Sequence, residues 1–145
     1  SNSVHVVKSR LKCINYDAGN TPNLVPILAV TASVSEGVSY IRKVGRLKYK
    51  GFNRLESICD IINSIGGECF IDSGDTLVIN GKESLNGGVV FGHQDHKIIM
   101  SAAVAALKST KPVTIIGAEA KDKSYPQFFK VYEELGGEIG EAETI

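Results

Sequence analysis

Two short stretches set the frame for this chain: Ile65-Gly66-Gly67-Glu68 and Leu135-Gly136-Gly137-Glu138 each close a segment of helical periodicity with a pair of glycines. Glycine reaches the left-handed conformation that ends many helices at little steric cost, so both pairs predict a C-cap. Upstream, Glu36-Gly37-Val38-Ser39-Tyr40-Ile41 is paralleled by Lys111-Pro112-Val113-Thr114-Ile115-Ile116. The chain therefore reads as an internal duplication of a unit of roughly 65 to 75 residues, longer than the usual solenoid repeats. Repeat one covers about 4–81 and repeat two about 82–145, while Ser1-Asn2-Ser3 reads as a cloning remnant.

Within repeat one the pattern predicts a strand over 4–16 and then a helix opened by Thr21-Pro22, with Thr as cap and Pro in the first helical position. That helix runs to about Ser35 and is apolar nearly all round, as for one sandwiched against a sheet. A strand follows over Val38 to Val44. Asn53-Arg54-Leu55-Glu56 then offers an N-cap with a capping-box Glu, ahead of Leu55, Ile58, Cys59, Ile62 and Ile65 at helical spacing. Two strands around Ser73-Gly74-Asp75 complete a βαβαββ order.

Repeat two gives a strand over 88–92, a helix from His96 to about Lys108, a strand over 112–117 and a helix from Pro126 to Leu135. The hairpin that closes repeat one has no clear counterpart. The fold class is α/β: two βαβαββ-type repeats with helices packed against mixed sheets.

Composition narrows the function classes. With 145 residues, 43% of them hydrophobic, one real core is available. Sixteen basic side chains balance sixteen acidic ones, so no global field draws the protein to nucleic acid or an anionic membrane. Cys13, Cys59 and Cys69 are odd in number and lack CxxC spacing, which points to reduced thiols rather than a disulfide framework or zinc site. No apolar stretch approaches the roughly 18 residues of a membrane span, and a cytoplasmic protein is expected.

Asn23, Arg54, Lys97 and Lys123 each fall within a residue or two of a predicted helix N-terminus. Such an end carries unpaired N–H groups and positive dipole, so a basic residue there opposes the dipole and calls for a reason other than stability. A small polyanionic ligand supplies one, because helix ends and cations together suit phosphate or carboxylate. Six basic residues between Arg42 and Arg54 (Arg42, Lys43, Arg46, Lys48, Lys50, Arg54) could also form a nucleic-acid patch, but Tyr49 and Phe52 are the only aromatics among them. His93-Gln94-Asp95-His96 is a weak metal pattern, and Asp95 is better read as the N-cap of the third helix. Asp17 and Asp72 are candidate general bases that read more simply as solvated loop carboxylates.

Four stretches then become recognisable in order and spacing: Asp17-Ala18-Gly19-Asn20-Thr21-Pro22-Asn23-Leu24, Arg46-Leu47-Lys48-Tyr49-Lys50 through Asn53-Arg54-Leu55, Asp95-His96-Lys97, and Lys123-Ser124-Tyr125-Pro126. Together they resemble the C-terminal part of the 5-enolpyruvylshikimate-3-phosphate synthase family, over about Leu11 to Glu138. The resemblance implies two lobes of βαβαββ units with helix N-termini facing a cleft, 4–145 being part of one lobe. It also implies transfer of the enolpyruvyl group of phosphoenolpyruvate to the 5-hydroxyl of shikimate 3-phosphate, through a tetrahedral intermediate that eliminates phosphate. No metal or organic cofactor takes part in that chemistry.

Carried over by position, Arg54, Lys97 and Lys123 fall where the family binds phosphoenolpyruvate. Lys50 falls where a lysine contacts the shikimate phosphate and the reacting centre. Asn23 stands at the family's catalytic and substrate-binding Asp, and Asp95 and His96 are supporting residues. The departures are Asn23 for Asp, Gly51 for Glu, Asn53 for Asp and Lys97 for Arg. An amide cannot usefully accept a proton near neutral pH and glycine has no side chain, so two proton-transfer groups are missing. With the N-terminal lobe also absent, this fragment is expected to be inactive alone. A degenerate, non-catalytic anion-binding homologue is the rival reading. The sister family acting on UDP-N-acetylglucosamine is a weaker match to the Arg46–Arg54 and Lys123–Pro126 stretches.

Overall fold

The computed structural model describes residues 2–49, 53–119 and 124–142. Its elements in chain order are β1 (Asn15–Asp17), α1 (Val25–Ala32), β2 (Val38–Arg42), α2 (Arg54–Ser64), β3 (Glu68–Asp72), β4 (Thr76–Asn80), β5 (Gly88–Phe91), α3 (His96–Ala106), β6 (Val113–Ile116) and α4 (Phe128–Glu134). Four strands form a mixed sheet in the order β1-β2-β4-β3, with β1 parallel to β2 and both other pairs antiparallel. The second sheet is the parallel pair β5-β6.

Helices α1, α2 and α3 pack against these sheets and against one another. α1 lies against β2, β4 and α3; α2 lies against β3 and β5; α3 lies against β6. The core they share includes Val25, Ile41, Leu55, Ile62, Ile65, Leu77, Ile79, Leu85, Ile98 and Ile99, all fully buried. Each buried Leu or Ile contributes about 1.5–3 kcal/mol against exposure, so the interior of α2 and α3 is a main source of stability. The α/β class and mixed sheet follow the sequence reading, as does the βαβαββ order through β4. Among the described residues no helix is long and apolar enough to cross a membrane.

Several boundaries differ from those read in the sequence. The opening strand shrinks to Asn15–Asp17, with one isolated bridge between Lys12 and Glu36 upstream. A strand needs a partner, and β2 begins only at Val38, so the alternating Val4 and Val6 run past the end of the sheet and stay exposed. Thr21 makes no side-chain cap; its hydroxyl hydrogen-bonds the Tyr16 hydroxyl at 2.7 Å. Pro22–Leu24 form a 3-10 turn and α1 starts at Val25, because Pro26 has no N–H to give and its ring would meet the Pro22 carbonyl in a continuous α-helix. At the far end Ser33 and Ser35 donate to the carbonyls of Val30 and Thr31, closing the helix before its expected end at Ser35.

Further along, β2 stops at Arg42, where Lys43 turns left-handed at φ +59°, and a 3-10 turn covers Gly45–Tyr49. The hairpin between β3 and β4 turns on Ser73 and Gly74, both at positive φ, as a two-strand connection with native twist requires. The two glycine pairs are near copies in space. Gly66 and Gly136 sit at φ +94° and +102°, and Gly67 and Gly137 donate to the carbonyls of Ile62 and Tyr132 at 2.8 and 2.9 Å. α4 opens at Phe128 rather than Pro126 and buries no residue completely.

Candidate functional site

β1 and β2 are parallel and in register from Asn15–Tyr40 to Asp17–Arg42, so the segments leaving their C-terminal ends emerge at one edge of the sheet. Those segments are 18–24, leading into α1, and 43–53, leading into α2. The tip of the β3–β4 hairpin reaches the same edge: Val44 donates to the Asp75 carbonyl and Gly45 to the Asp75 carboxylate. Arg46 ties the two helix-entry loops together by donating to the Gly19 carbonyl. In the second sheet β5 and β6 are also parallel, and the entry of α3 leaves the C-terminal end of β5.

One ion pair joins these two ends. Arg54, the first residue of α2, places Nε 2.6 Å from Oδ2 of Asp95, the N-cap of α3. The Asp95 side chain is 2% exposed and that of Arg54 13%. The other Asp95 oxygen, Oδ1, accepts from the Lys97 N–H at 2.9 Å, so one carboxylate caps α3 and anchors a side chain of α2. Among the described residues Arg54 bonds only through Nε, and its Nη groups have no hydrogen-bond partner there. The result is a guanidinium held from one side with its fork presented at the positive ends of two helices. Such a fork suits a carboxylate or phosphate.

Lys97 follows in the first turn of α3, half-buried, with its ammonium 3.5 Å from Nε2 of His96. The structure thus brings Arg54, Asp95, His96 and Lys97 together. Asn23 lies exposed in the 3-10 turn before α1, and its side chain makes no hydrogen bond among the described residues. Its entry loop shares the sheet edge of the α2 entry, but among the described residues no hydrogen bond or ion pair joins Asn23 to the Arg54 cluster. Lys50, Gly51 and Lys123 lie outside the described residues.

Asp95 performs the capping read from the sequence, and Asn53 does so as well, its Oδ1 accepting from the Glu56 N–H at 3.2 Å. Asp17 is committed elsewhere: its carboxylate takes the Lys43 ammonium at 2.7 Å and the Gly19 N–H at 2.9 Å. The Lys43 hydrogen bond, helped by Gly19, holds the Asp17 carboxyl below its ordinary range, which makes it a poor proton acceptor. Asp72 sits at the end of β3 with its carboxylate receiving Ser73 Oγ. The sequence reading missed the turn that delivers Asp95: His93 and Gln94 both stand at positive φ, at +50° and +55°, and Asp95 N–H closes back on the Gly92 carbonyl. Of the two only His is enriched at positive φ, and even there it is uncommon, so His93 and the Gly92 ahead of it were the only hints of a turn.

A groove of about 990 Å³ lined by Ala106, Val113, Ile115, Phe129, Tyr132 and Gly137 contains none of these residues. The charged cluster therefore lies outside that groove, at the helix entries.

A family model described as EPSP synthase (3-phosphoshikimate 1-carboxyvinyltransferase) matches residues 1–132. The chain is 43% identical over 140 residues to the 3-phosphoshikimate 1-carboxyvinyltransferase of Clostridium kluyveri, covering 97% of this chain and 33% of that protein. Its identity to the protein of the same name from Methanocella arvoryzae is 39% over 137 residues, or 94% and 32% of the two chains. The chain thus spans about a third of the length of these curated relatives. Among solved structures, EPSP synthase from Acinetobacter baumannii superposes with a TM-score of 0.72 at 27% identity, over 82% of this chain and 28% of that one. The enolpyruvyl transferase NikO from Streptomyces tendae shares the fold with a TM-score of 0.69 at 18% identity, over 91% and 30%.

Proposed function

Because this chain belongs to the EPSP synthase family, we propose that it forms part of one lobe of an enolpyruvyl transferase that moves the enolpyruvyl group of phosphoenolpyruvate to the 5-hydroxyl of shikimate 3-phosphate. One observation carries this reading: the Arg54 guanidinium, pinned through Nε by Asp95, keeps an Nη fork with no partner among the described residues where α2 and α3 both begin. Two helix ends, a bidentate cation and Lys97 together supply what a ligand with a carboxylate and a phosphate needs. In this reading Arg54, Lys97 and Lys123 bind phosphoenolpyruvate, and Lys50 contacts the shikimate phosphate and the reacting centre. Asn23 faces the acceptor from the position of the family's catalytic Asp, while Asp95 and His96 support the cations. An N-terminal lobe of the same chain supplies the opposite wall, and closure of the two excludes water. A cytoplasmic setting goes with charged metabolites of this kind.

The decisive experiment is a steady-state assay of the full-length gene product with both substrates. Turnover is expected, and the pair Asn23→Asp and Gly51→Glu should raise it, since one general acid–base group is worth about 10² to 10⁴ in rate. No turnover in either form would overturn the transferase reading. The amide at 23 and the missing side chain at 51 favour a second reading, a homologue that keeps the anion site without chemistry. Under it, phosphoenolpyruvate still binds the full-length protein, in a salt-sensitive manner, while both forms stay inactive.

A further inference from the structure

Cys59 and Cys69 come from different elements, α2 and β3, yet their Sγ atoms lie 3.1 Å apart. That is only about 1 Å longer than a disulfide bond. The approach is fixed by the backbone around it. Asn63, one turn beyond Cys59, donates from Nδ2 to the Cys69 carbonyl and accepts at Oδ1 from the Cys69 N–H, both at 2.8 Å. Residue 69 is thereby bolted to α2, and closing the remaining gap takes rotation of two side chains rather than movement of a helix. The third thiol, Cys13, is exposed and is no part of this pair. The Arg54 cluster uses none of the three.

We propose that Cys59 and Cys69 form an oxidisable dithiol that a hydroperoxide converts to an intrachain disulfide joining α2 to β3. The two residues are 8% and 6% exposed, which favours a small uncharged oxidant over a bulky disulfide. In the first step the Cys59 sulfur attacks one peroxide oxygen. The O–O bond breaks, water forms from the departing hydroxide and the thiol proton, and Cys59 becomes a sulfenic acid. In the second, the Cys69 sulfur attacks Cys59 Sγ, the S–O bond breaks, and the hydroxyl leaves with the Cys69 proton as water. The balance is two thiols and one hydrogen peroxide giving one disulfide and two waters, with two electrons passing from sulfur to oxygen.

The order of the sulfurs follows from their contact. The hydrogen bond shared by the two sulfurs pushes the Cys59 thiol down, against the opposing effects of burial and of Asp60 and Glu56, while the same contact and burial push Cys69 up. Cys59 therefore carries the larger thiolate fraction and reacts first. Burial slows that encounter, but the second step is intramolecular at near-contact distance, so the sulfenic acid does not accumulate.

The test uses the chain carrying Cys13→Ser, which removes the exposed thiol and touches neither buried one. After hydrogen peroxide, quenching and alkylation in denaturant, both remaining thiols are expected to resist alkylation. The intact mass should fall by two hydrogen atoms, a non-reduced digest should contain a peptide linking 59 to 69, and dithiothreitol should reverse all three. The oxidised chain should also melt several degrees higher, since the new bond closes a loop in the unfolded state. Stable oxygen adducts at Cys59 or Cys69 without the linked peptide would overturn the proposal. So would disulfide dimers through either residue, or two untouched thiols under conditions that fully oxidise Cys13 in the parent chain.

Discussion

In the first unit the chain leaving the Gly66-Gly67 cap turns straight into β3 and β4, and α2 buries Leu55, Ile58, Ile61 and Ile62 between β3 and β5. In the second unit the chain leaving the Gly136-Gly137 cap continues without a strand over the described residues. α4 buries nothing completely, and the groove beside Phe129 and Tyr132 stays open. The two caps are nevertheless the same turn with the same hydrogen bonds. A helix end is thus settled by a few local residues, whereas burial of the helix depends on what the chain does afterwards.

The largest test of this contrast is aimed at the joint between the units. Asp95→Ala removes the cap of α3 and leaves the Arg54 charge half-buried without a partner, and should cost about 3–5 kcal/mol in urea unfolding. A loss below 1 kcal/mol would mean that the units do not lean on each other there. Next, Ile62→Ala in α2 should cost about 2–5 kcal/mol, while Tyr132→Phe in α4, which gives up one hydrogen bond to the Ala103 carbonyl, should cost about 0.5–1.5 kcal/mol. Equal losses would erase the distinction between a packed and an unpacked helix.

The caps themselves offer a finer comparison. At Gly66 an added Cβ would meet the Asn86 side chain at 2.7 Å, whereas at Gly136 it would meet nothing within 4 Å. Gly66→Ala should therefore be the costlier, by about 2 kcal/mol against about 1 kcal/mol for Gly136→Ala, where only the left-handed backbone is penalised. Thermal melts of the two variants decide it, and a reversed order would break the argument.

The smallest effect is in pH. Asp17, through Lys43 and Gly19, and Glu68, through Asn80 and Lys82, are both held below their ordinary carboxyl range in the first unit. Their contributions are present above about pH 4 and vanish as pH falls through the lowered folded values. Burial raises the Tyr132 hydroxyl in the second unit, so its contribution is present below about pH 10 and is lost as pH rises through the raised value. Melting curves should show Asp17→Asn and Glu68→Gln flattening the acid side and Tyr132→Phe the alkaline side.

These contrasts also mark what could be read in advance. Caps and turns were legible because their chemistry is local: Asn53, Asp95, the two glycine pairs and the Ser73-Gly74 turn all act on neighbours within a few residues. The start of α1 was misread because two prolines four apart cannot both sit in one α-helix, a conflict that Thr21-Pro22 alone does not reveal. The N-terminal valines alternate as in a strand, but whether a strand forms depends on the length of its neighbour, which lies more than 20 residues away. In the site, the residue types at the helix entries were visible, while the pairing of Arg54 with Asp95 spans 41 positions and exists only once two helices meet. The same is true of Cys59 and Cys69, which read as unrelated thiols until α2 lies on β3.

Asp95 divides its two oxygens between two helices, and this has an evolutionary side. Positions 54 and 95 are not independent loci, because the fitness of each residue depends on the other. Arg54→Met alone strands a buried carboxylate and Asp95→Ser alone strands a cation, yet the two together leave a capped helix with an apolar neighbour. The double variant should be more stable than either single one, so a lineage shedding this ion pair must cross a valley of sign epistasis. Selection for stability alone would retain the pair long after any ligand had been abandoned.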